Sequence, residues 1–234
     1  MSGSRKKHSP EEQARRAKIR ELLQESNISS MEDTQKDLQD ITELRRRFTY
    51  VQAFSAALND LKRSMEIVEY EPNRIITFRK LAATGVTRES VREFCAAVWD
   101  FVEPDDYFSA ASLRQSGFES GLYDLGFSDW FYANLLLTDP RFSFGIIFKS
   151  IILKKGEEDV TCRSFETSLI REAGSIDVYD LLTLMEETYG CTVSDRLDLI
   201  YKVKDGEVYY DRYLDRLYDS EERYQRELDR SEEL

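Results

Sequence analysis

His8 is the only histidine of the chain, and it lies in a polar, basic stretch at the N-terminus. A histidine general base, a Ser-His-Asp triad and a histidine-containing zinc site are therefore all without support. Carboxylates are plentiful, but pairs such as Asp105-Asp106 and Glu186-Glu187 are sequence neighbours whose side chains diverge on a helix or loop. They read as solvated surface charge. No glycine-rich phosphate loop of the Walker or dinucleotide type occurs. Cys95, Cys162 and Cys191 are odd in number, far apart and outside any CxxC, so neither a disulfide framework nor a metal centre follows, and reduced, mostly buried thiols are expected. The sequence thus reads as a non-enzyme, with no catalytic, cofactor-binding or metal-ligating residue.

The chemistry that remains is recognition. A net charge of −12 argues against binding a polyanion over the whole surface, because phosphates would be repelled. Local basic groups still stand out. Arg5, Lys6, Lys7, Arg15, Arg16, Lys18 and Arg20 face only Glu11 and Glu12 in the first twenty residues, and the simplest reading of that run is a solvated arm. Arg141, Lys149, Lys154 and Lys155 surround a strand-forming segment. Arg196, Lys202 and Lys204 lie on a helical segment, interleaved with Asp195 and Asp198, which would repel phosphate.

A repeat indicates what must position these residues. Tyr107-Phe108-Ser109 with Leu113, then Phe127-Ser128-Asp129 opening Trp130, Phe131, Leu135 and Leu136, returns roughly 66 to 68 residues later. The second copy is Ser175-Ile176-Asp177 with Leu181, then Val193-Ser194-Asp195 opening Leu197, Leu199 and Ile200. Each copy offers a short extended pair, a polar cap, a helix, a second cap and a second helix, followed by strand-like residues. Phe142 to Leu153 is strongly strand-forming and reads as a hairpin turning near Gly145 or Lys149-Ser150. That order describes tandem winged-helix-like units. Ser109 and Asp177 should then be equivalent helix starts, as should Ser128 and Ser194.

The expected architecture is α+β and helix-rich: a disordered basic arm over 1–17, a helical region with a short strand over 18–84, winged-helix-like units over 85–160 and 161–211, and an exposed C-terminal helix over 212–234. The main boundary is set near Gly85. Within the helical region, Val51, Phe54, Leu58, Leu61 and Met65 recur at spacings of three and four, which predicts a helix from Thr49 to Glu69. Pro72-Asn73 predicts a turn, and Ile75 to Phe78 a strand. The segment Ile19-Arg20-Glu21-Leu22-Leu23-Gln24-Glu25-Ser26-Asn27-Ile28-Ser29-Ser30-Met31-Glu32-Asp33-Thr34-Gln35-Lys36-Asp37-Leu38 resembles the N-terminal segment of bacterial Mutator-type transposases. The resemblance implies a mobile-element setting or a borrowed helical segment; no catalytic residue is carried over, because nothing after residue 45 resembles the catalytic domain of those enzymes.

Two functions follow as expectations. The first is a DNA-associated or transcription-regulating protein, in which Arg141, Lys149, Lys154, Lys155, Arg196, Lys202 and Lys204 contact a duplex, with Asn134 as a base reader. The second is an acidic protein-interaction module docking through its wings and an apolar C-terminal seam of Leu214, Leu217, Tyr224 and Leu228. The aromatic cluster Phe118, Tyr123, Phe127, Trp130, Phe131 and Tyr132 is assigned to the core rather than to base stacking. No apolar run reaches the roughly 18 residues of a membrane span and no secretory signal is evident, so a cytoplasmic location without membrane contact is expected.

Overall fold

Among the described residues, three small antiparallel sheets share one strand order, and helices connect their strands in an α+β chain. The computed structural model describes residues 58–204 and 208–232, together with Ala14, Ala17, Gln39 and Asp40. The basic arm and the transposase-like segment lie outside them, apart from Ala14 and Ala17. The first sheet holds β1 (Gln39–Asp40), β2 (Ile67–Glu71) and β3 (Arg74–Thr77), with β3 in the middle. The second holds β4 (Tyr107–Phe108), β5 (Phe142–Ile147) and β6 (Ser150–Lys155), with β6 in the middle. The third holds β7 (Ser175–Asp177), β8 (Tyr209–Asp211) and β9 (Arg216–Tyr218), with β9 in the middle. In every sheet the last strand in sequence separates the other two.

After a helix that ends near residue 63, the α-helices are α1 (Phe78–Leu81), α2 (Arg88–Phe101), α3 (Ala110–Gln115), α4 (Asp129–Leu136), α5 (Cys162–Ala173), α6 (Val178–Tyr189), α7 (Arg196–Lys204) and α8 (Glu221–Glu232). Two stretches therefore repeat one order: α2-β4-α3-α4-β5-β6 and α5-β7-α6-α7-β8-β9. The caps explain where the helices start. Ser109 caps α3 in a capping box with Ser112, and Thr161 caps α5 in another with Ser164, so exposed amides at both helix starts are satisfied by side chains. Ser128 caps α4. Asp177 stands at the start of α6, but its side chain makes no cap hydrogen bond. At α7 the acceptor is Asp195, which takes the Leu197 amide at 2.8 Å, one residue beyond the expected Ser194.

The chain divides into two compact units, Met1–Ala97 with Ser120–Pro140, and Val98–Glu119 with Arg141–Leu234. The first continues past Gly85, where the boundary was expected. Its core includes Leu61, Ile67, Val68, Ile75, Leu81, Val91, Phe94, Phe131 and Tyr132. Helix α4 packs on β2, and Tyr70 meets Phe127 edge-on at 5.4 Å. The Tyr132 hydroxyl donates to the Leu122 carbonyl at 2.8 Å and accepts from the Phe127 amide at 3.2 Å. The aromatic residues of α4 are thus built into the core, with Phe131 and Tyr132 fully buried.

In the second unit one cluster joins Ile147 and Ile152 of the hairpin, Phe165 and Leu169 of α5, Leu181 and Met185 of α6, Leu199 of α7 and Leu217 of β9. The β5–β6 hairpin turns at Phe148-Lys149, both with positive φ (45° and 66°). That conformation belongs to the tight hairpin turns that follow the twist of the strands. Gly145 is not the turn. It lies within β5, where a Cβ would collide with the main-chain carbonyl of Val160.

Three further expectations are corrected. The helix expected to run to Glu69 stops near residue 63, because Met65 adopts φ 53° and Ile67-Val68, β-branched and buried, pair with β3. Ile75 and Ile76 are strand as expected, but Thr77 caps a new helix and Phe78 begins it. The C-terminal stretch from residue 212 is not one helix: Arg216–Tyr218 form the central strand of the third sheet, and α8 begins only at Glu221.

Candidate recognition surfaces

The residues expected to meet phosphate are only partly free to do so. Lys149, at the tip of the β5–β6 hairpin, is exposed. Arg141 and Lys155 lie over the Trp99 ring, their charged groups 4.8 and 5.0 Å from its centre, within reach of a cation–π attraction. Lys154 is engaged. Its ammonium pairs with Glu158 at 2.6 Å and Asp105 at 3.9 Å and sits 5.3 Å from the centre of the Tyr107 ring; the hydrogen bond it donates to Glu158 is the main cause that raises its pKa.

On α7, Arg196 reaches across to the turn between β8 and β9 and holds Asp215 with two contacts, 2.9 and 3.0 Å. The Tyr210 hydroxyl donates to the same carboxylate at 2.7 Å. A guanidinium held in this way presents less of its fork to a base edge. Lys202 and Lys204 sit in the last turns of α7. Asn134, the expected base reader of α4, is only 2% exposed. It accepts from Lys62 at 3.3 Å and donates to the Trp130 carbonyl at 2.9 Å, while Lys62 also pairs with Glu69.

Asp215 gathers a different kind of surface. Its carbonyl accepts from the Val178 amide at 3.0 Å, so the starts of α6 and α7 and the β8–β9 turn are tied to one residue. Beside these ties lie Tyr179, Leu197, Tyr213 and Leu214, which are 75%, 62%, 82% and 57% exposed. Asp177, Asp180, Asp195 and Asp198 flank them in sequence on the same helix starts. Sequence reasoning found Leu214 but missed the other three, of which Tyr179 and Leu197 follow the residues that bond Asp215, Val178 and Arg196, and Tyr213 shares its turn.

The expected C-terminal seam separates into three environments. Leu214 is in the exposed turn, Leu217 is fully buried on β9, and Tyr224 and Leu228 lie half-buried on α8. Tyr224 stacks on Tyr209 at 4.4 Å, Arg223 pairs with Asp219 at 2.9 Å, and the Asp219 amide donates to the Gly174 carbonyl at 2.9 Å. The beginning of α8 is therefore fastened to the third sheet. Tyr209 and Tyr210, adjacent on β8, both have partners, in Tyr224 and Asp215.

A cleft of about 290 Å³ opens in the second unit between the segment 101–116 and helices α5 and α6. Tyr189 is one of its walls, with its phenol pushed up to about 12 by burial first and then by Glu172 and Asp106. Burial likewise pushes the Cys191 thiol up to about 11. Both groups hold their protons more tightly folded than unfolded, so the stability they lend is complete below their ordinary values of 9 for the thiol and 10 for the phenol. It is lost as pH rises through about 11 and 12. A titration of urea-unfolding midpoints should show that Tyr189→Phe flattens the loss above pH 10 while leaving the neutral value nearly unchanged; an identical alkaline fall in both proteins would contradict this.

Cys95 and Cys191 are buried and Cys162 half-buried, all as free thiols. Among the described residues, no group of three His, Cys, Asp or Glu side chains is arranged to hold a metal ion, and no helix is long and apolar enough to cross a membrane. No protein-family model, no curated protein and no solved structure matches the chain.

Proposed function

We propose that this chain is a non-enzymatic docking protein built from winged-helix units, and that its last unit presents the third helix and wing to a protein rather than to DNA. Support for the winged-helix reading comes from the recurring order helix, strand, helix, helix, strand, strand, with the last strand central. The first sheet has that strand order too, and β2 and β3 follow a helix ending near residue 63, so the reading extends to a third unit near the N-terminus. One observation carries the docking function. The arginine best placed on α7 to read a base is held by Asp215, and the surface beside it is apolar and acid-flanked. Exposed apolar groups gathered at one place mark interaction sites, and aspartates on a would-be recognition helix disfavour phosphate.

A second reading is favoured by the other wing, where Lys149 is exposed and Arg141 and Lys155 lie against Trp99. It is a weak, wing-led duplex contact made through phosphates. One set of variants separates the two. Changing Leu197 and Leu214 together to Asp should abolish capture of protein partners by the immobilised chain while leaving its melting temperature within a few degrees, because both side chains are exposed. Equal capture by both proteins removes the docking reading. Binding of a short duplex that weakens steeply between low and moderate salt would move the assignment to the second reading.

A further inference from the structure

The cleft of about 290 Å³ between the segment 101–116 and helices α5 and α6 is lined by three carboxylates, Glu103, Asp106 and Glu172, and by no lysine, arginine or histidine. None of the three carboxylate groups makes an ion pair or hydrogen bond with another described residue. They differ in this from Asp105, the sequence neighbour that meets Lys154 outside the cleft. Tyr107 and Tyr189 supply aromatic walls. Both rings rest on the fully buried Phe165, at 5.6 and 4.9 Å between centres, which holds them in place. The Tyr189 phenol has no hydrogen-bond partner among the described residues and lies close enough to Glu172 and Asp106 to feel both charges. Ser112, Ser168 and Thr188 add hydroxyls to the lining.

We infer that this cleft is a receptor for one organic cation, the guanidinium or ammonium end of an arginine or lysine side chain of a protein partner. Three unneutralised like charges at the rim of a concave space focus a negative potential in it. Aromatic faces beside carboxylates are the setting in which a cation gains both Coulomb and cation–π attraction. Size narrows the ligand. The volume falls at or just below the lower end of the roughly 300–1,000 Å³ spanned by small-molecule pockets, which suits a single side chain on a linear stem better than a nucleotide. Anionic ligands are disfavoured by the charge of the lining. Lys154 does not fill the role, since it lies over Tyr107 with its charge directed to Glu158 and Asp105.

The inference rests on the reading of the chain as a protein-docking module, but it is testable without a partner. Acetyl-arginine amide and acetyl-lysine amide are titrated into the full chain, with acetyl-citrulline amide as the uncharged control, and the ring resonances of Tyr107 and Tyr189 are followed by NMR. Saturable shifts with dissociation constants on the order of millimolar are expected for the two cations, and at least tenfold weaker binding for citrulline. Asp106→Asn with Glu172→Gln should weaken the cations at least fivefold while preserving the melting curve, because both carboxylates are exposed. If the double variant is less stable, each single variant is tested in its place. Absence of saturable shifts, equal binding of citrulline or undiminished binding by the variants overturns the proposal. Leu197→Asp with Leu214→Asp leaves these titrations unchanged, so failure of the cleft and failure of the docking surface are read separately.

Discussion

Replacing Phe165 with alanine is expected to destabilise the second unit by about 3–5 kcal/mol, the range for truncating a buried phenylalanine. The ring has no solvent exposure. It lies in the cluster that joins the β5–β6 hairpin to α5, α6, α7 and β9, so the void would open where these elements meet. It also supports Tyr107 and Tyr189, and loss of aromatic pairs adds to the loss of buried area. Against the roughly 5–15 kcal/mol that holds an ordinary domain together, this places the variant near unfolding. Urea denaturation followed by circular dichroism measures the effect, and a cost below about 1 kcal/mol would mean that the ring is not part of the core. A milder Phe165→Leu variant should retain the fold but loosen both tyrosines of the cleft.

The second large effect is expected at Gly145. The residue lies in β5 opposite Ile152, and the atom it would strike with a Cβ is the main-chain carbonyl of Val160 rather than a mobile side chain. The backbone cannot yield without moving either the strand or the segment that leads into α5. Gly145→Val should therefore cost about 3 kcal/mol or more, at or beyond the upper end of ordinary overpacking, and lower the melting temperature by roughly 10–15 °C for a unit of this size. Ile146→Val, next to it and 65% exposed, should shift the midpoint by no more than a degree or two. Equal midpoints for the two variants would remove the close approach from the account.

Elements with a local signal were legible in the sequence. Ser109 and Ser128 are caps because a short hydroxyl before an apolar stripe satisfies exposed helix amides wherever it occurs. Ile151 to Leu153 are strand because β-branched residues followed by Lys-Gly leave little else. What depended on a distant partner was not legible. Gln39-Asp40 carries no strand pattern and is a strand only because β3 pairs with it, so the sheet at the N-terminal end went unseen. Leu217 and Tyr224 happen to be spaced as on a helix, yet one is on a central strand and the other on the helix packed beside it. Arg196 looked available for phosphate because Asp215, its partner, is separated from it by a helix and a strand.

Placing the last strand of each sheet between the other two has a consequence for how the protein is made. As the chain leaves the ribosome, β4 is synthesised well before the β5–β6 hairpin and β7 well before β8 and β9, yet neither early edge strand has a place in its sheet until the central strand arrives. The second and third sheets therefore close at their final strands, and the first strand of each waits through a connection that holds two α-helices. A nascent chain halted before Arg216 has third-sheet strands that cannot pair as they do in the finished sheet. Its core lacks Leu217, which only the next residues supply, and α8, which packs on β9, has not yet been made. Such intermediates expose apolar surface and unpaired strand edges, the features that recruit chaperones and promote aggregation. Premature termination near the end of this chain is therefore costlier than the number of missing residues suggests.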